Sequence, residues 1–267
     1  MARGQPMMAA TNLWQTMRTE AHTFSAAEPA LASFYHGAIL NHPSLCSALS
    51  YTLALKLDSA NLPAILLRQV IDEALAEEPS IVKAVTEDVQ ACLERDPACH
   101  YAVMPLLYFK GFQALQGYRI AHWLWRHNRR ALAMYFQNQI AESFCVDIHP
   151  AATLGAGIMM DHATGIVIGE TAVVGDNVSM LHGVTLGGSG YSKGDRHPKV
   201  GKGVLISAGA KLLGNITIGS GAKIAAGSVV LASVPAGNTV AGVPAVIVGR
   251  PKTPNPARQM NHDLPDE

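Results

Sequence analysis

The chain has 267 residues, 49% of them hydrophobic, and its 20 Lys+Arg balance 20 Asp+Glu to a formal net charge of zero. That length accommodates two modest domains or one large one. The charge balance argues against a general nucleic-acid binder, which needs a basic face, and no apolar run approaches the roughly 20 residues of a membrane span. The four cysteines, Cys46, Cys92, Cys99 and Cys145, form no CxxC pair and read as buried free thiols. The opening "MARGQPMMAATNLWQ" lacks the apolar core of a signal peptide. A soluble protein in a reducing, cytoplasmic setting is expected.

Residues 1 to about 142 read as helices. "NLWQTMRTEAHTF" opens at a capping residue, Asn12, and "EPALASFYHGAIL" and "NLPAILLRQVIDEALAEE" each carry Pro near a first turn, where its missing N–H is harmless. "PSIVKAVTEDVQACLERD" places Ile81, Val82, Val85, Val89 and Leu93 on one helical face. "MPLLYFKGFQALQGYRIAHWLWRHN" and "RALAMYFQNQIAESF" continue the pattern.

From about Cys145 to Arg250 Gly becomes frequent and aromatics almost vanish. Apolar anchors recur every sixth residue: Ile148, Leu154 and Met160; then Ile168, Val174, Met180 and Leu186; then Val200, Ile206, Leu212, Ile218, Ile224 and Val230. An even period keeps all anchors on one side of a strand. Short strands joined by tight corners would stack them into a narrow core, as in a solenoid. Two steps break the rhythm. Met160 to Ile168 is eight residues and contains Asp161 and His162; Leu186 to Val200 is fourteen and contains "GGSGYSKGDRHPK". Insertions into a solenoid become surface loops, where function concentrates.

The hexad run resembles the hexapeptide-repeat acyltransferases. With "VDIHPAA", "GIMMDHATGIVIGETAVVGDNV", "GVTLGGSG", "GDRHPKVGKGV", "AGAKLLGNITIG" and "AGVPAVIVG" in order, residues 10 to 250 resemble serine O-acetyltransferases in particular. The resemblance implies an α+β chain: an all-α N-terminal domain (1–142), used for oligomerisation and contributing Asp96, then a left-handed parallel β-helix with an inserted loop (143–250). A flexible tail (251–267) would follow. It also implies the reaction, acetyl transfer from acetyl-CoA to the hydroxyl of L-serine at the start of cysteine synthesis. No resident cofactor or metal is implied; acetyl-CoA is a co-substrate.

A neutral alcohol needs a base as it attacks a thioester, and an imidazole suits that role. His162 is assigned as this base. The resemblance gives Asp147 the part of orienting its imidazole, Asp96 and Asp161 the serine ammonium, and Arg196 and His197 the serine carboxylate. Backbone groups near Thr185, Gly187 and Gly188 are candidates for the thioester end of acetyl-CoA, with Ala208, Lys223 and Ala226 further along. The two extra residues of the eight-residue step would push Asp161 and His162 out of the wall into a cleft, with the 187–199 loop as its cover. His182 lies one coil from His162 by the anchor count and is read as packing over it.

Three other readings stand beside this one. A hexapeptide acyltransferase for a sugar or an antibiotic leaves the helical N-terminal region and Asp96 unexplained. A zinc site of the γ-carbonic anhydrase kind could use His149, His162 and His182, although their spacing lacks that family's close His pair. A non-catalytic scaffold is the third. The family further implies inhibition by L-cysteine and a hexamer built as a dimer of trimers. Many members bind O-acetylserine sulfhydrylase through a terminal Ile; this chain ends Pro265-Asp266-Glu267, so weak binding by that route is expected.

Overall fold

The structure, a computed structural model, describes residues 10–190 and 193–264. It has two parts, helical and solenoidal, as expected.

The helical part runs through α1 (Ala10–Ala27), α2 (Ala32–Tyr35), α3 (Leu45–Lys56), α4 (Ala64–Glu77), α5 (Pro79–Arg95), α6 (Val103–Tyr108), α7 (Lys110–Arg126) and α8 (Arg130–Phe144). A short 3₁₀ turn, Pro29–Leu31, precedes α2 and a π turn, His36–Leu40, follows it. Asn12 lies inside α1 and does not cap it. Pro63 stands at the N-cap of α4 with no side chain to offer; Asp58 instead accepts from Ala64 N–H at 2.6 Å. On α5 the expected face is present: Ile81, Val85 and Val89 are buried. Glu20 of α1 accepts from the N–H groups of Ala102 and Val103 at 3.1 and 2.9 Å, closing the start of α6.

The solenoid has three faces. Face 1 is a five-stranded parallel sheet of β1 (Val146–Ile148), β4 (Ile166–Ile168), β7 (Thr185–Gly187), β10 (Lys211–Leu213) and β13 (Val229–Val230). Face 2 contains β2 (Thr153–Leu154), β5 (Val173–Val174), β8 (Lys199–Val200) and β11 (Thr217–Ile218). Face 3 contains β3 (Met159–Asp161), β6 (Ser179–Leu181), β9 (Leu205–Ile206), β12 (Lys223–Ile224) and β14 (Thr239–Gly242), closed by antiparallel β15 (Ala245–Gly249).

The anchors form the ladders of this core. Ile148, Ile168, Leu186, Leu212 and Val230 are in register on face 1. Leu154, Val174, Val200 and Ile218 match on face 2, and Met160, Met180, Ile206 and Ile224 on face 3. All but the half-buried Leu154 are buried. Each fully buried side chain of this size contributes roughly 1.5–3 kcal/mol. At the edge between faces 3 and 1, Gly165, Gly183, Gly209 and Gly227 all have positive φ, from 68° to 76°. An ideal Cβ on Gly183 would come within 3.4 Å of the Gly209 Cα, so the coils close tightly there.

A buried ionic tie joins the two parts. Asp88 of α5 accepts from Arg119 at 2.7 Å and Gln116 at 3.0 Å, and through its other oxygen from Ile158 N–H at 2.9 Å. Arg119 also donates to the Gly155 carbonyl at 2.9 Å.

The expectation of a flexible tail after Arg250 needs correcting for its described residues. Pro256–Gln259 form α9, with Ala257 buried and its carbonyl accepting from Ser179 Oγ at 2.8 Å. Arg258 pairs with Glu94 at 2.8 Å. Further on, His262 Nδ1 meets Ser207 Oγ at 2.9 Å, and the Asp263 carbonyl accepts from the Lys223 ammonium. These partners are distant in sequence, so the lack of local apolar periodicity did not reveal them. Pro265, Asp266 and Glu267 lie outside the described residues, and with them the expectation about the sulfhydrylase.

Candidate active site

Asp161 and His162 sit where the chain leaves face 3 for face 1. The eight-residue step is absorbed there: Met160 pairs with Met180 and Ile168 with Leu186, so the two extra residues fall in the turn between. His162 and Ala163 both adopt φ of +55°. The His162 side chain is 76% exposed, with Nε2 3.8 Å from Asp161 Oδ1.

Against this turn lies a cavity of about 370 Å³, lined by Asp96, Tyr108, Lys110, Met160, Asp161 and His162 among others. Asp96 caps the end of α5 and accepts from Ala98 N–H at 2.8 Å, forming the Asp-Pro turn that its sequence suggests. The same residue also faces the cavity. The neighbouring Arg95 fixes this helix end on the solenoid, donating to Ser179 Oγ and Asn177 Oδ1, both at 3.1 Å. One small cavity thus gathers two carboxylates, an imidazole and an ammonium. Neither Tyr108 nor Lys110 was expected there from sequence, and no local sequence signal marks them; the helix carrying Lys110 reaches the turn because Gly111 lets its backbone approach Met160 and Ala163.

Arg196 and His197 are elsewhere. Both lie on the inserted loop at the opposite edge of face 1, where it meets face 2. Arg196 pairs with Glu170 at 2.7 Å, and its hydrogen bond holds the Glu170 carboxyl below the usual range. His197 is only 7% exposed. Its Nδ1 meets Thr171 Oγ1 at 2.9 Å, while Thr171 Oγ1 accepts from the backbone N–H groups of Arg196 and His197 at 3.0 and 3.1 Å. Its ring covers Gly169, where a Cβ would stand 2.0 Å from Nε2. Burial, then Arg196 and Lys199, push the His197 imidazole down, towards its neutral form. The described part of the loop is therefore pinned to its own edge and does not cover the Asp161–His162 cleft of its own chain.

Asp147 lies on β1 and accepts from Gln137 at 2.6 Å; within one chain its hydrogen-bond partner is Gln137 and not His162. His149 belongs to the edge of Arg196, influenced by Glu170. His149, His162 and His182 therefore do not converge, and among the described residues no cluster of three metal-ligating groups occurs. His182 does meet His162 one coil away, edge to face with ring centroids 6.0 Å apart.

The acetyl-CoA candidates divide in the same way. Thr185 and Gly187 are on face 1, and the Thr185 N–H is committed to the Ala210 carbonyl, so it is not free to meet an oxyanion. Gly188 lies under Arg196. Ala208 and Ala226 continue the edge below His162 and His182. Lys223, read from sequence as either a phosphate ligand or an exposed corner, is neither free nor exposed here: it is 2% exposed, covered by Asp263, and burial pushes its ammonium down.

Residues 13–117 match the family described as "Serine acetyltransferase, N-terminal", and residues 197–232 match "Bacterial transferase hexapeptide (six repeats)". A serine acetyltransferase of Escherichia coli is 57% identical over 249 residues, 93% of this chain and 91% of that protein. The chain belongs to the serine acetyltransferases. The structure of the Vibrio cholerae serine acetyltransferase superposes with a TM-score of 0.94 at 59% identity, covering 96% of this chain and 99% of that one. A serine acetyltransferase solved in complex with cysteine gives 0.94 at 55% identity, covering 96% and 100%. Membership in the serine acetyltransferases makes the chain an acyltransferase, and the two-part fold is that of its solved relatives.

Proposed function

We propose that the chain transfers the acetyl group of acetyl-CoA to the hydroxyl of L-serine, with His162 as general base. The observation that carries the residue roles is the cavity in which Asp96, Asp161 and His162 meet. Two carboxylates suit an ammonium, and a neighbouring imidazole suits the hydroxyl of the same small amino acid. His162 takes the hydroxyl proton as the serine oxygen forms its bond to the thioester carbon. The tetrahedral intermediate then collapses, the carbon–sulfur bond breaks, and the CoA thiolate recovers the proton from the imidazolium. Solved serine acetyltransferases in complexes with CoA, serine and cysteine support these ligands. Cysteine carries the same ammonium and carboxylate as serine and would compete for the same cavity.

The carboxylate-binding pair, Arg196 and His197, lies at another edge of the solenoid, so one chain holds only part of the site. The reading is therefore of a trimer in which the Arg196 edge of one copy closes the His162 cleft of the next, with helical domains pairing trimers into a hexamer. Asp147, tied to Gln137 in one chain, is the orienting carboxylate this assembly has to bring to His162. Acetyl-CoA would run down the edge past Ala208 and Ala226, its thioester end towards Thr185, Gly187 and Gly188. Lys223 becomes available to a phosphate only when the tail is displaced. The cytoplasm is the proposed setting, consistent with four free cysteines and with no helix among the described residues long and apolar enough to cross a membrane. Thiol release from acetyl-CoA tests the reaction. L-Serine should support it, whereas homoserine, chloramphenicol and a galactoside should not; release with one of the latter and not with serine would replace this reading.

A further inference from the structure

The turn carrying His162 has a backbone that its residues disfavour. His162 and Ala163 are consecutive non-glycine residues at φ of +55°, where a Cβ crowds the following carbonyl. The turn is closed by two very local hydrogen bonds, Ala163 N–H to the Asp161 carbonyl at 2.6 Å and Thr164 N–H to the His162 carbonyl at 2.7 Å. A shape of this kind persists only where its surroundings over-determine it.

The surroundings are the first residues of α7. Gly111 lies so close to the turn that a Cβ there would stand 2.1 Å from the Met160 carbonyl oxygen and 2.8 Å from the Ala163 Cβ. Immediately before it, the Lys110 ammonium donates to the Oγ1 of Thr164, the residue that follows the strained pair. Lys110 is half-buried and lines the cavity beside His162. Among the described residues no carboxylate lies within ion-pair range of it, so Thr164 is the partner that fixes its direction.

We propose that Lys110 is a positioning residue for the base. Through Thr164 Oγ1 it pins the 162–164 turn in its left-handed shape and so holds the His162 imidazole where the serine hydroxyl arrives. Gly111 lets the helix come near enough for the lysine to reach. This role rests on the reading of His162 as base, and the two are separable by experiment.

The test is steady-state kinetics on the full-length protein. Lys110→Met and Thr164→Val should each lower kcat by about ten- to a hundredfold, because small displacements of a reacting group have effects of that size. KM for acetyl-CoA should stay within about twofold, and the double variant should be no worse than the poorer single, because the two residues act as one unit. Thr164→Ser, which keeps the hydroxyl, should retain kcat, an outcome that a merely space-filling role of Thr164 does not predict. If Lys110→Met fails to fold, the comparison of Thr164→Val with Thr164→Ser carries the test alone. Near-native kcat in both single variants, or losses that multiply in the double variant, would overturn the proposal. A raised serine KM in Lys110→Met alone would also overturn it, assigning the lysine directly to the substrate carboxylate. His162→Ala serves as the control: if it stays active, the base reading has failed, whatever the lysine does.

Discussion

His162 is the residue proposed as the base, and its surroundings separate that role from any role in folding. Its side chain is exposed and packs into neither core, so truncation removes a base without opening a cavity. His162→Ala should lose most serine acetylation, of the order of 10²–10⁴-fold for a general base, while the melting temperature stays within a few degrees, as expected of an exposed position. Turnover close to that of the unmodified protein would sink the assignment. The place of Asp161 and His162 was legible because they interrupt a regular period, ten of whose twelve steps are six residues long. Lys110 and Thr164 were not legible. Their contact spans 54 positions, and nothing local in "FKGF" or "HATG" marks it. Arg196 and His197 were proposed by resemblance, but their intrachain partners, Glu170 and Thr171, were not legible, because the pairing depends on how the inserted loop folds back.

Among the elements, α5 joins the two parts at its middle and at its end. Its middle holds the Asp88–Arg119 tie, and its end sets Arg95 against β6 and Asp96 against the cavity. Burial pushes the Asp88 carboxyl up while Arg119, Gln116 and Ile158 N–H pull it down. Desolvation is the larger effect even with every partner present, so losing a partner leaves a buried group still less compensated. Asp88→Asn keeps the shape but leaves Arg119, 7% exposed, as an uncompensated buried charge. It should destabilise the protein by about 3–5 kcal/mol, read as a lower denaturation midpoint, and the same variant should weaken serine binding as α5 loosens. A midpoint unchanged by Asp88→Asn would show that the tie is dispensable. The solenoid strands were legible almost to the residue, since each anchor reports one strand of a repeating coil. Helix boundaries were less so: Asn12 looked like a cap but lies within α1, and the cap of α4 comes from Asp58, which stands six residues before the bond it makes.

At the scale of the whole molecule, two predictions concern acid and assembly. Burial lowers the affinity for protons of five histidines, His42, His122, His149, His197 and His262. In the unfolded chain these imidazoles take up protons near the ordinary value of ~6.5; in the folded chain they do so only at lower pH. The unfolded state therefore binds more protons in that window, and stability should fall as pH drops below about 6.5. The raised Asp88 carboxyl acts in the opposite sense, but it is one group against five. Melting temperatures compared between about pH 8 and about pH 5.5 should decrease towards acid; an increase would contradict these shifts. For assembly, an Asp161→Asn chain and an Arg196→Ala chain should each be nearly inactive alone. Co-expressed, they should recover about a quarter of normal activity, the fraction of randomly formed interfaces that pair two intact edges. No recovery in mixed oligomers would place the whole site within one chain.

The edge that carries His162 has a further property. Following the registers of face 3, His162, His182, Ala208 and Ala226 lie one above another, and the N–H groups of Gly183, Gly209 and Gly227 bond to the carbonyls of Thr164, His182 and Ala208. Along the chain these four residues are separated by 20, 26 and 18 positions. In space the separations are equal, each a single strand spacing of about 4.8 Å, about 14 Å over the three steps. The coils act as a ruler whose graduations ignore whatever loops hang from them. A co-substrate lying along this edge is measured in whole coils: the distance from reacting carbon to its far anchor can change only by a full division, by adding or removing a coil, while loops such as 188–198 can lengthen, shorten or acquire new contacts without moving a mark on the scale.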